Sequence, residues 1–191
     1  IIPGVTNYTD SYVNSGTDMV TPYLTSVSPF ATINWRTRLH NSGTSSIVDY
    51  TFVDVLPAPY GLTGTVEIKI YDDMYETAIS SYKILSVINR TEEYIRVKGG
   101  YGTNEYQIPL DGTKVAIPVY QIATNNILYV DVSITRDENG QETVVIDFSD
   151  KLFAVPESGG YADVTLSTNN DTNVYENTVY TNFGYLIPNV Q

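Results

Sequence analysis

The chain has 191 residues, with 22 acidic against 10 basic side chains and a formal net charge of −12. This charge argues against a nucleic-acid partner, because phosphate binding requires clustered Lys and Arg, and against anionic membrane surfaces. The absence of Cys excludes disulfides and Cys-based metal or nucleophile sites, and no apolar run is long enough to span a bilayer.

The composition indicates a folded all-β protein. Hydrophobic residues make up 42% of the chain, and its 17 Tyr are joined by recurrent Val, Ile and Thr, which suit a pleated, half-buried surface. A cysteine-free, acidic chain of this kind is typical of an exported bacterial protein. Because the sequence starts without Met, we expect it to be part of a longer polypeptide.

Predicted strands follow a polar, turn-rich leader. We expect residues 1–28 to form a leading segment or a strand packed on the domain, and residues 29–191 to form one domain. Alternating patterns and turn residues predict strands along this domain, with a less regular middle: 33–39, 48–54, 66–70, 82–88, 94–98, 114–120, 128–134, 144–148, 161–166 and 174–183. The turn spacing predicts an Ig-like antiparallel β-sandwich of roughly nine to eleven strands, elaborated in the middle.

The clearest predicted element is a hairpin. Its arms run over 128–134 and 144–148, with Val130 and Ile146 among the side chains expected to face inward. Between the arms, Asn139-Gly140 favours the positive φ values that tight hairpin turns require.

The most informative stretch runs from Asn41 to Pro57. An Asn-Ser-Gly turn leads into an alternating strand that ends in Asp54-Val-Leu-Pro57. With the strand before it, this stretch resembles the Ig-like repeat domains of Gram-positive bacterial cell-surface proteins with a collagen-adhesin A-like fold, and the likeness is strongest over residues 33–57. The resemblance implies an adhesin or stalk module of a peptidoglycan-anchored cell-wall protein.

The resemblance also implies a covalent cross-link, because some relatives form an internal Lys–Asn isopeptide bond assisted by a buried acid. Carried over by position, Asp54 is the acid and Asn177 the amide partner. The implied Lys belongs to the strand before the Asn-x-Gly turn, where this chain has Arg36 and Arg38, and Arg cannot act as the nucleophile.

Lys83 is the remaining candidate nucleophile, since it shares a strand face with Leu85 and Val87. The alternative for these three positions is structural: Asp54 caps a turn, Asn177 pairs in the strand ladder and Lys83 is solvated.

Aromatic residues suggest a second kind of site. Tyr71, Tyr94 and Tyr101 fall opposite apolar faces or in loops, so they are candidate ligand-facing aromatics that stack on sugars. Tyr is equally a normal strand residue with an apolar body and a polar tip, so packing is the competing interpretation.

No catalytic or metal site is predicted, and we expect neither enzyme activity nor a cofactor. The single His40 precedes a turn, and no Ser lies in a Gly-x-Ser-x-Gly context. The acidic pairs Asp72-Asp73 and Asp137-Glu138 lack the spacing of an EF-hand loop.

These patterns together predict a non-enzymatic extracellular module on a bacterial cell surface. Its expected partners are a host or matrix protein or a glycan, and the neighbouring domains of its own chain, with no nucleic acid and no membrane insertion. The alternatives are a carbohydrate-binding module of a secreted protein and a module whose exposed edge strand accepts another chain.

Overall fold

A computed structural model describes residues 5–13, 32–73, 77–169 and 180–189, the first of these ranges by its backbone alone. The described residues form β-strands and one short 3-10 turn. The strands are β1 Val5–Val13, β2 Thr32–Asn41, β3 Tyr50–Val55, β4 Thr65–Tyr71, β5 Ser80–Arg90, β6 Tyr94–Gly99, β7 Glu105–Pro109, β8 Val115–Ala123, β9 Asn126–Arg136, β10 Glu142–Phe148, β11 Gly160–Asn169 and β12 Phe183–Pro188, with the 3-10 turn at Lys151–Phe153. No helix in the described ranges is long and apolar enough to cross a membrane.

Two antiparallel sheets pack as a sandwich, which confirms the predicted fold class. The seven-stranded sheet has the order β1-β2-β11-β4-β5-β6-β7, and the five-stranded sheet has the order β12-β3-β10-β9-β8. The described part of the chain contains twelve strands, slightly more than expected. β1 comes from the leader and pairs with β2 along its whole length.

The core lies between the sheets and follows the alternation of the sequence. On β3, Tyr50 and Phe52 are buried, while Thr51 and Val53 are partly exposed on the outer face. The predicted β9–β10 hairpin is present, and Gly140 adopts the positive φ of 78° that its turn requires. Burial of the alternate side chains on both inner faces supplies the hydrophobic stabilisation of the sandwich.

The last strand differs from the prediction. The sequence pattern predicts a strand over 174–183, whereas β12 begins at Phe183 and residues 180–182 precede it without strand structure. On β12, Gly184 and Leu186 are buried, whereas Phe183, Tyr185 and Ile187 are exposed. This alternation of buried and exposed side chains, typical of a strand, runs from Phe183 onward. Residues 174–179 lie outside the described part of the chain.

A buried ion pair fastens the β3–β4 connection to the rest of the fold. Arg90 at the end of β5 pairs with Glu142 at the start of β10, and its Nη1 also donates to the Leu62 carbonyl oxygen at 2.6 Å. Leu56 N donates to the Glu142 carbonyl oxygen at 2.9 Å. A side chain at Gly61 would come within 2.8 Å of the Glu142 carboxylate, so the Arg90–Glu142 pair would have to shift to admit one.

β1 begins and β12 ends at the same end of the sandwich. Val5 of β1 pairs with Asn41, the last residue of β2, and Pro188 of β12 pairs with Tyr50, the first residue of β3. Only the short connection 42–49 separates those two partners in sequence. The loops at the opposite end include 56–64 and 137–141.

Candidate functional site

A carboxyl group lies inside the core, on β3 of the five-stranded sheet. Asp54 has none of its surface exposed, because the alternation that turns Tyr50 and Phe52 inward also turns Asp54 inward. Its strand neighbours are Val144 on β10 and Gly184 on β12, neither of which carries a charge.

Asn182, just before β12, is the amide that meets this acid. Its Nδ2 donates to Oδ2 of Asp54 at 2.9 Å. Oδ1 of Asp54 and Oδ1 of Asn182 are buried and have no hydrogen-bond partner among the described residues. Buried polar atoms are almost always paired, so two such atoms in contacting residues mark this pair as an unusual feature of the core.

Burial raises the pKa of Asp54 from 3.8 to about 7, and the hydrogen bond from Asn182 opposes this shift. The carboxyl therefore holds its proton under mildly acidic conditions in which an ordinary Asp is ionised. A buried acid of this kind can donate or accept a proton locally. Because Asp54 is sealed from solvent, it acts only on groups within the fold.

Aromatic rings pack on the segment that precedes Asn182. Tyr60 makes edge-to-face contacts with Trp35 of β2, at a centroid distance of 5.8 Å, and with Tyr180, at 5.3 Å. The Trp35 indole N–H donates to Oγ1 of Thr168 at 2.8 Å. Tyr180 is two residues from Asn182, so this packing fixes the segment that carries the amide.

The inward position near the middle of β2 is Thr37. It is fully buried, and its Oγ1 has no hydrogen-bond partner among the described residues. Arg36 and Arg38 lie on the opposite, outer face, where Arg38 binds both carboxylate oxygens of Asp163 at 2.6 and 2.8 Å. The strand that the resemblance requires to supply a Lys thus presents a Thr to the core.

Lys83 does not face the core, which agrees with the alternative in which it is solvated. Lys83 is exposed, whereas Ile84 and Leu85 are both fully buried. A bulge in the pairing of β4 with β5 lies at this point, so that Val66 pairs with Leu85 but the next residue of β4 pairs with Lys83. A bulge reverses the alternation, and the face shared by Leu85 and Val87 does not extend to Lys83.

Asn177, the other candidate for the cross-link, lies outside the described residues. The amide that the structure brings to Asp54 is Asn182, which sequence reasoning missed. The sequence feature that could have indicated Asn182 is its position immediately before the alternating run that starts at Phe183. Because the predicted strand covers 174–183, it includes Asn182 and places no strand boundary there.

The three candidate aromatics do not form a common surface. Tyr71 ends β4 and stacks on Tyr161, with a centroid distance of 4.3 Å and an interplanar angle of 17°. Tyr94 begins β6 at the opposite end of the same sheet, with Arg96 6.0 Å from its ring centroid. Tyr101 follows β6, and its hydroxyl donates to Oε1 of Gln121 at 3.0 Å. All three are partly buried by such contacts.

The Tyr71–Tyr161 pair belongs to a stack on the outer face of the seven-stranded sheet. The Arg38 guanidinium lies 4.0 Å from the Tyr161 ring centroid. Burial raises the pKa of both tyrosines, so their hydroxyls stay protonated at neutral pH. The stack packs beside the Arg38–Asp163 pair, to which Arg36 adds a second guanidinium 3.6 Å from Asp163.

Within the described ranges, no three His, Cys, Asp or Glu side chains are grouped so that they could hold a metal ion. No protein-family model, no curated protein and no solved structure matches this chain.

Proposed function

We propose that this chain is a non-enzymatic module of an extracellular protein on the surface of a Gram-positive bacterium, and that it serves adhesion. The observation that carries the proposal is the Asp54–Asn182 pair in the core of an antiparallel sandwich. Asp54 lies near the end of β3, at the position where the resemblance implies a buried acid beside an amide. The amide in this chain is Asn182, whereas the resemblance implies Asn177.

The sealed environment of Asp54 supports a structural role for this pair. A catalytic acid must reach its substrate, whereas Asp54 is fully buried between the two sheets. Its raised pKa therefore affects the stability of the fold.

Charge restricts the partner. With a net charge of −12, the module repels anionic surfaces at low ionic strength. Host or matrix proteins and glycans without strong negative charge are the compatible partners.

The location of the protein in its source cells tests this proposal. An antibody raised against the folded domain should label intact cells and detect the protein in the cell-wall fraction. Detection only in the cytosolic fraction, with a cytosolic enzyme as the fractionation control, would contradict the proposal.

A further inference from the structure

The outer face of the five-stranded sheet carries a row of exposed apolar side chains along β12. Phe183, Tyr185 and Ile187 are 51%, 43% and 49% exposed. Alternate residues of a strand share one face and lie about 7 Å apart, so these three form a continuous column. Soluble proteins rarely expose adjacent large apolar residues without a partner.

Small side chains extend this column across the sheet. Phe183 pairs with Val55 of β3, which lies beside Thr143 of β10, and Tyr185 pairs with Val53, which lies beside Val145. On β9 the next positions are Ser133 and Thr135. Adjacent strands lie about 4.8 Å apart, so four strands make a shelf roughly 15 Å across with two aromatic rings along one side.

Acceptor groups border the shelf. The row that starts at Ile187 continues through Thr51 and Asp147 to the exposed Asp131. Thr51 Oγ1 lies 3.4 Å from Oδ1 of Asp147, and the Lys114 ammonium lies 3.2 Å from its Oδ2. The shelf thus combines apolar rings, hydroxyl groups and carboxylates within one surface.

We infer that this shelf binds an uncharged glycan. The C–H faces of a sugar stack on Phe183 and Tyr185, and the carboxylate oxygens of Asp131 and Asp147 accept hydrogen bonds from its hydroxyl groups. Sialylated or sulfated glycans are disfavoured, because the protein carries a net charge of −12 and the rim of the shelf is acidic. The inference rests on the proposed adhesive function and names the chemistry of its partner.

A glycan array with neutral, sialylated and sulfated members tests the inference on the intact domain. We expect binding to neutral glycans, with at least a tenfold loss of affinity on Tyr185→Ala or Phe183→Ala. Tyr120→Ala is the matched control, since Tyr120 is also 43% exposed but pairs with the buried Leu128 and so lies on the other face. This control should bind as the wild type does.

Asp131→Asn supplies a second variant that leaves the apolar column intact. It removes a carboxylate acceptor and should weaken neutral-glycan binding, while circular dichroism shows the wild-type fold. The inference is overturned if no neutral glycan binds, if acidic glycans bind more tightly, or if the shelf variants bind as the wild type does.

Adhesion to a deglycosylated host or matrix protein separates this inference from the proposed function. Binding that survives deglycosylation and the shelf variants would leave the module an adhesin and would overturn the glycan inference. Loss of binding on deglycosylation, together with a response to Tyr185→Ala, would support both.

Discussion

Asn182, which immediately precedes β12, donates a hydrogen bond of 2.9 Å to the buried Asp54 of β3. Asp54 is the more deeply buried of the two residues, with no exposed surface. Within the part of the chain that the structure describes, this amide is the group that opposes the rise in the Asp54 pKa. The stability of the sandwich should therefore depend on the protonation state of this one carboxyl.

Asp54→Asn should stabilise the protein at neutral pH and have little effect in acid. The folded-state pKa of about 7 lies above the ordinary value of 3.8, so the stability linked to protonation is complete below the ordinary pKa and is lost as the pH rises to the folded value. At 1.36 kcal/mol per pKa unit the loss is roughly 4 kcal/mol, and Asn does not suffer it. Urea unfolding of both proteins between about pH 4 and pH 8 measures this difference.

The paired comparison isolates Asp54 from the other carboxylates, which titrate in both proteins. Asp147→Asn is the control, because Asp147 is only partly buried and lies on the outer face. A constant difference in unfolding free energy between wild type and Asp54→Asn across this pH range would refute the linkage.

Asn182→Ala should destabilise the fold by about 1–3 kcal/mol, since it leaves the buried carboxyl without its hydrogen bond. The pKa of Asp54 should rise further, and NMR titration of its side-chain carboxyl carbon would record the change. Asn189→Ala is the matched control: Asn189 Nδ2 donates to Asp49 at 2.8 Å, but in an exposed position. If Asn182→Ala lowers the free energy of unfolding no more than Asn189→Ala does, the buried hydrogen bond stabilises the fold no more than the exposed one.

Arg90→Ala should cost about 3–5 kcal/mol, because it leaves the Glu142 carboxylate buried without its cation. The control is Arg96→Ala, whose pairing with Glu105 spans 3.9 Å at an exposed position and is worth at most about 1 kcal/mol. Thermal and urea unfolding would compare the two. Equal effects would mean that the β3–β4 connection does not depend on the buried pair.

Intact mass spectrometry should give the mass of the uncross-linked chain. The exposed position of Lys83 keeps its ammonium away from the sealed Asp54, and β2 supplies Thr37 instead of Lys at its inward position. A mass lower by one ammonia, abolished by Lys83→Ala, would contradict this expectation.

Local alternation allowed the β-sandwich and the orientation of several residues to be predicted. Asp54 and Trp35 face the core because regular strands keep period-two alternation. The sequence leaves both an inward and a solvated orientation open for Lys83, because a β-bulge is a tertiary feature without a reliable sequence signal. The pairing of Asn182 with Asp54 joins residues far apart in sequence, so it could not be read from local pattern, and neither could the shelf beside β12.

Adhesion is measured by binding of the purified domain to host cells and to immobilised matrix components. We expect saturable binding that persists in Asp54→Asn, because that residue is sealed in the core and supports only the fold. Absence of saturable binding to any of these surfaces, by a domain whose circular dichroism and cooperative unfolding show that it is folded, would contradict the assignment of an adhesive function.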